Sequence, residues 1–191
     1  MKKIRTGIYG GSFNPIHNGH LAIARQMTTL TNIDEVWLMV SPQNPLKRSD
    51  DLLDDNLRLA MCRKAVENIN DVRVSDYEFH LPRPSYMWHT LHSLSNDYPN
   101  REFVLLIGAD NWTVFDHWYK AKEIIDNYNI YIYPRRGCSI NPATLPSTVH
   151  IVDTGLYDVS STQIRKMVKQ GESPDTLIPE CISKEVNLYY R

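Results

Sequence analysis

Gly10-Gly11-Ser12-Phe13-Asn14-Pro15-Ile16-His17-Asn18-Gly19-His20 follows an apolar run over residues 4–9 and leads into a helical pattern that starts at Leu21. The order is strand, glycine turn, helix. Such a junction presents backbone N–H groups and the positive end of a helix dipole to an anion. His17 and His20 fall in the first helical turn and add donors that can follow charge between phosphate oxygens. The stretch reads as a nucleotide-phosphate site. Gly10, Gly11, Ser12 and Phe13 form its turn, and Gly19 lets a ligand approach where a Cβ would collide. Two other readings stay open: local capping by the histidines, and a metal site built on two imidazoles one turn apart. Zinc asks for three or four ligands, and no nearby Cys or Glu completes a familiar spacing, so no metal ligand is assigned.

The rest of the chain bounds what surrounds this turn. Its 191 residues suffice for one domain with a substantial core, so residues 1–191 are read as a single domain. Hydrophobic residues at 42% and charged residues at 23% are ordinary for a globular protein. A formal net charge of −1 argues against a nucleic-acid-binding surface and makes any phosphate recognition local. Cys62, Cys138 and Cys181 are scattered and form no paired spacing, which points to a reducing compartment. The basic start Met1-Lys2-Lys3 runs into Gly7, Gly10 and Gly11, a poor match to a signal peptide or membrane span. A cytoplasmic protein is expected, with homo-oligomerisation left open.

Apolar runs alternate with helical stretches, the pattern of a parallel sheet with crossover helices. Strands are predicted over residues 4–9, 35–40, 72–75, 102–108, 129–133 and 150–152. Helices are predicted over 21–30, 57–66, 86–94, 121–126 and 164–170, with 134–146 as an irregular surface loop. The expected fold is an α/β, doubly wound, Rossmann-like parallel sheet, in which ligands lie outside the carboxyl ends of the strands at the point where strand order reverses. The first strand ends at Gly10-Gly11 and the fourth at Gly108-Ala109-Asp110, so one crevice can draw on both.

A second phosphate segment lies far downstream. Ser160-Ser161-Thr162-Gln163 has the capping-box pattern, and Arg165 can sit near the same helix start. Free N–H groups, hydroxyls of Ser161 and Thr162, and the Arg165 guanidinium would make an anion site. A plain, well-capped helix is the competing reading. After the second strand, Ser41-Pro42-Gln43-Asn44-Pro45-Leu46-Lys47-Arg48 carries two adjacent cations in a proline-bearing loop that also suits plain solvation.

The opening segment resembles the Gly-x-Phe-Asp/Asn-Pro-x-His-x-Gly-His signature of the nucleotidyltransferase superfamily with the (His/Thr)-x-Gly-His motif. Val159-Ser160-Ser161-Thr162-Gln163-Ile164-Arg165 resembles its Ile-Ser-Ser-Thr-x-Ile-Arg motif. Pro84-Ser85-Tyr86 with Thr90-Leu91, and His117-Trp118-Tyr119, look like the nicotinate-mononucleotide branch found in bacteria. The resemblance implies adenylyl transfer from ATP to nicotinate mononucleotide, with Mg²⁺ arriving on ATP. It implies His20 at the transition-state phosphates, and His17, Lys47, Ser161, Thr162 and Arg165 on the triphosphate. Asp110 would accept from the ribose hydroxyls. Ser85, Tyr86, Met87, Trp118 and Tyr119 would surround the pyridine ring, and Arg135 would meet the mononucleotide phosphate, with Arg136 left to solvent. Met87 stands where the branch has Thr and His89 where it often has Asp, both on the substrate side. Nicotinamide-mononucleotide and pantetheine-phosphate adenylyl transfer are the alternatives within the superfamily. A non-catalytic nucleotide sensor is the alternative outside it.

Overall fold

The computed structural model describes residues 2–42 and 52–191. Six parallel strands form one sheet in the order β3-β2-β1-β4-β5-β6. They are β1 (Ile4–Gly11), β2 (Glu35–Val40), β3 (Val72–Ser75), β4 (Arg101–Gly108), β5 (Asn129–Tyr133) and β6 (Val149–Ile151). The order reverses between β1 and β4, which lie side by side with Tyr9 opposite Leu106. The crevice expected from the two glycine-ended strands therefore opens at adjacent strand ends.

Strand alternation explains why both faces are covered. Along β2, β4 and β5 one set of side chains, Val36, Leu38, Val40, Val104, Leu106, Tyr131 and Tyr133, packs into one core. The intervening set, Trp37, Met39, Phe103, Leu105, Ile107, Ile130 and Ile132, packs into the other. Strands buried on both faces read as continuous apolar runs, which is how Glu-Val-Trp-Leu-Met-Val and Phe-Val-Leu-Leu-Ile appear in the sequence. Helices α1 (Asn18–Leu30), α2 (Asp55–Val66), α6 (Ser161–Lys169) and α7 (Ser183–Tyr189) contribute to the first core. Helices α3 (Met87–Asp97), α4 (Ala109–Trp112) and α5 (Ala121–Asn127) contribute to the second.

The sequence boundaries shift mainly at helix starts. Helix α1 begins three residues before the expected Leu21 because His17 caps it. Helix α6 begins at Ser161, since the Ser160 hydroxyl accepts from the Gln163 N–H at 3.2 Å. Helix α7, which the sequence pattern does not announce, seats Val186 in the first core, and Tyr190 just beyond it is buried there too.

Helix α3 follows Ser85 and Tyr86 and is held by Leu91 and Leu94, both fully buried in the second core, with the helix against β4. Leu94→Ala should lower unfolding free energy by about 2–5 kcal/mol through lost burial and a residual cavity. Urea denaturation checks this, and a change below about 1 kcal/mol would mean α3 is not anchored there.

Candidate active site

A cavity of about 300 Å³ opens at the carboxyl ends of β1, β4 and β5. Gly10, Gly11, Ser12, Phe13 and His20 line it on the β1 side, and Ser161 reaches it from the first turn of α6. Asp110 and Arg135 line it beyond β4 and β5, while Ser85, Tyr86, Met87, Trp118 and Tyr119 close the substrate side. Both motifs and the substrate-side segment thus converge on one space.

The β1 turn is built by donors from other elements. Arg165 Nη1 donates to the Asn14 carbonyl at 2.8 Å, and Ser161 Oγ donates to the Pro15 carbonyl at 2.8 Å. The Asn14 side-chain oxygen accepts from the Tyr190 hydroxyl at 2.7 Å and from the Leu53 N–H at 3.2 Å. A carboxylate oxygen could accept the same two bonds. Phe13 has φ of 43°, a left-handed conformation that costs a non-glycine residue about 1–3 kcal/mol. Its buried ring offsets this by packing edge-on to Tyr9 and His20, with centroids 5.8 and 5.0 Å away.

His17 and His20 form a reciprocal capping box. The His20 N–H donates to His17 Nδ1 at 3.3 Å, and the His17 N–H donates to His20 Nδ1 at 3.2 Å. Their rings stack with centroids 3.5 Å apart. An Nδ1 that accepts carries no proton, so each neutral ring keeps its hydrogen on Nε2. His20, which lines the cavity, is thereby fixed as an Nε2–H donor. His17 is buried and does not line the cavity. Burial, aided by the Arg135 charge, lowers its pKa to about 3.

The remaining residues singled out from sequence fall as follows. Arg165, Thr162, Gly108 and Gly19 are not among the residues that line the cavity. The Ser161 hydroxyl proton is engaged by Pro15, so Ser161 offers a phosphate its backbone N–H at the start of α6. At Gly19 the missing side chain makes room for the packed chain: a Cβ there would lie 2.7 Å from Val159 Cγ1. Met87 lays the end of its side chain against β1, since a Cβ on Gly10 would lie 2.8 Å from its Cε. Asp110 sits 3.7 Å from Arg135 Nε, and Arg136 is exposed on a 2.7 Å pair with Asp158. Tyr119 makes tilted ring contacts with Tyr86 and exposed His89, with centroids 5.0 and 5.3 Å away. Lys47 and Arg48 lie outside the described residues.

Sequence reasoning assigned no role to Tyr9, Ser41, Glu78, Asn111 or Tyr133, which also line the cavity. Tyr9, Ser41 and Tyr133 lie at or next to strand carboxyl ends, a signal that could have found them. Glu78 carries no such signal. Its carboxyl is buried, which pushes its pKa up, and accepts from Thr90 Oγ1 at 2.7 Å. Trp118 Nε1 and Ser85 Oγ are buried without a hydrogen-bond partner among the described residues.

His17 stays neutral in the folded protein down to about pH 3, whereas the unfolded chain takes up the proton near 6.5. Between those values the unfolded state binds more protons. Stability should therefore be complete above pH 6.5 and fall as pH drops toward 3, by at most about 1.4 kcal/mol per pH unit from this group. Denaturation at stepped pH should show the slope, and His17→Asn, which keeps a capping acceptor but does not titrate, should flatten it. An unchanged slope would assign the acid sensitivity elsewhere.

The cytidylyltransferase-like family profile matches residues 8–167. A Bacteroides fragilis protein named "Probable nicotinate-nucleotide adenylyltransferase" is 46% identical over 186 residues, covering 97% of this chain and 92% of its own. A Bacteroides thetaiotaomicron protein of the same name is 50% identical over 168 residues, covering 88% and 83%. Among solved structures, the Plasmodium falciparum nicotinic acid mononucleotide adenylyltransferase complexed with NaAD superposes with a TM-score of 0.79 over 97% of each chain. At 20% identity that likeness speaks for the fold alone. The profile match and the close relatives together place the chain in the cytidylyltransferase-like family, among the nicotinate-nucleotide adenylyltransferases.

Proposed function

We propose that the protein transfers the adenylyl group of ATP to nicotinate mononucleotide, giving deamido-NAD and pyrophosphate. The 5′-phosphate of the mononucleotide attacks the α-phosphorus in line, the bond to the β-phosphate oxygen breaks, and pyrophosphate leaves. The nucleophile arrives ionised, so no side chain has to deprotonate it. Catalysis rests on alignment and on stabilising charge at the α-phosphate and leaving group.

One observation carries the reading: His20 and the α6 N-terminus face the same cavity from two elements. His20 donates through Nε2 to phosphate oxygens as charge develops. The start of α6 holds the triphosphate with backbone N–H groups and the nearby Arg165 cation. His17 fixes the His20 ring, and Lys47 adds a cation. Asp110 takes the ribose hydroxyls. Trp118 stacks on the pyridine ring, Tyr86 and Tyr119 flank it, and Arg135 meets the mononucleotide phosphate.

Magnesium would come with ATP. Among the described residues no group of three or more His, Cys, Asp or Glu is gathered for a metal ion. The fitting donors are the triphosphate oxygens and water, and the ion would offset charge on them. No helix among the described residues is long and apolar enough to cross a membrane. With three free cysteines, the chain suits the cytoplasm, residues 1–191 working as one nucleotidyltransferase domain.

Pyrophosphate release should be fastest with nicotinate mononucleotide in a panel that includes nicotinamide mononucleotide and phosphopantetheine. A preference for nicotinamide mononucleotide would transfer the assignment to that substrate. His20→Ala should lower kcat by about 10²–10³-fold with a smaller effect on ATP binding. Trp118→Ala should act mainly on KM for the mononucleotide. Near-wild-type turnover without His20 would show that the imidazole does not stabilise the transition state.

A further inference from the structure

Arg58, in the first turn of α2, is fully buried and stands outside the cavity lining. Its guanidinium reaches four acceptors. Nη1 donates to the Ser12 carbonyl and, at 3.0 Å, to the Ser41 carbonyl. Nε donates to the Leu53 carbonyl at 2.8 Å, and Nη2 pairs with Asp55 Oδ1 at 2.6 Å. Ser12 and Ser41 line the cavity and follow neighbouring strands β1 and β2. Burying a cation contributes little to stability alone, because apolar residues of similar volume often do as well or better. The pattern of acceptors suggests another use.

The Ser12–Phe13 peptide is trans, so its carbonyl and N–H point in opposite directions. Arg58, which does not line the cavity, takes that carbonyl, so the opposed Phe13 N–H is directed away from Arg58. The next residue, Phe13, is left-handed, and a left-handed residue is one half of the backbone pair that gathers N–H groups into an anion nest. If this peptide rotated, a carbonyl dipole would face the phosphates where a donor had been. We infer that Arg58 is a positioning residue for adenylyl transfer: it locks the Ser12–Phe13 peptide in its anion-binding orientation and ties it to the end of β2. This rests on the proposed reaction. Arg58 touches no substrate and acts through the backbone.

Arg58→Lys is the informative change, because one ammonium on a flexible stem cannot bridge the Ser12, Ser41 and Leu53 carbonyls in a fixed plane. Three readouts on the whole protein, taken below its melting temperature, separate positioning from stability. These are kcat by pyrophosphate release, tripolyphosphate affinity by calorimetry, and nicotinate mononucleotide affinity by tryptophan fluorescence. Arg58→Lys should lower kcat by at least about 10-fold and weaken tripolyphosphate by a similar factor, leaving mononucleotide affinity within about twofold. Asp55→Asn retains Arg58 but removes its carboxylate partner. It should shift the same two quantities in the same direction by about threefold, and it carries the test if the lysine variant does not fold. Wild-type kcat and tripolyphosphate affinity in the folded variant would overturn the inference, as would equal losses for both ligands. Wild-type protein that binds tripolyphosphate but releases no pyrophosphate would contradict the reaction, a result distinct from any effect of Arg58.

Discussion

Backbone carbonyls in the turn after β1 need donors that do not come from the nucleotide side. Ser12, Asn14 and Pro15 obtain them from Arg58, Arg165 and Ser161, which belong to α2 and α6. With those oxygens engaged, the turn can show N–H groups to the cavity while Phe13 remains left-handed. An anion site of this kind needs preorganised donors more than net charge. The whole chain accordingly stays near neutrality, at a formal charge of −1. The sheet supplies the frame: β1 and β4 are adjacent, so the turn and Asp110 face the same space.

The histidine pair extends the same logic to side chains. His17 is neutral and used twice, as a capping acceptor and as a stacking partner for His20. Its buried position keeps His17 uncharged beside His20. His20 can then serve as a donor of fixed orientation. A pair of charged imidazoles would repel each other, and neither could accept its capping N–H, because each Nδ1 would carry a proton.

Much of this is legible in the sequence because local rules coincide with global ones. Apolar runs mark the strands, Ser160 and Gln163 announce α6, and the glycine turn locates the crevice. What escapes depends on distance along the chain. Tyr190 reaches Asn14 across 176 residues, and no local pattern advertises that bond. Arg58 looks like an ordinary helical cation until the loops of β1 and β2 are folded around it. At Gly19 the close packing of Val159, 140 residues downstream, is likewise invisible to any local pattern. Cavity-lining Glu78 sits in a short helical turn, whose sequence gives no periodicity that would direct its carboxyl inward.

Two distant segments gripping one nucleotide tail is the central claim. The most direct measurement is a crystal structure with a non-hydrolysable ATP analogue and the Mg²⁺ it carries. The polyphosphate should lie between His20 Nε2 and the first-turn N–H groups of α6, with the Phe13 N–H turned toward it. A triphosphate seated away from α6, or one facing the Ser12 carbonyl, would contradict that claim.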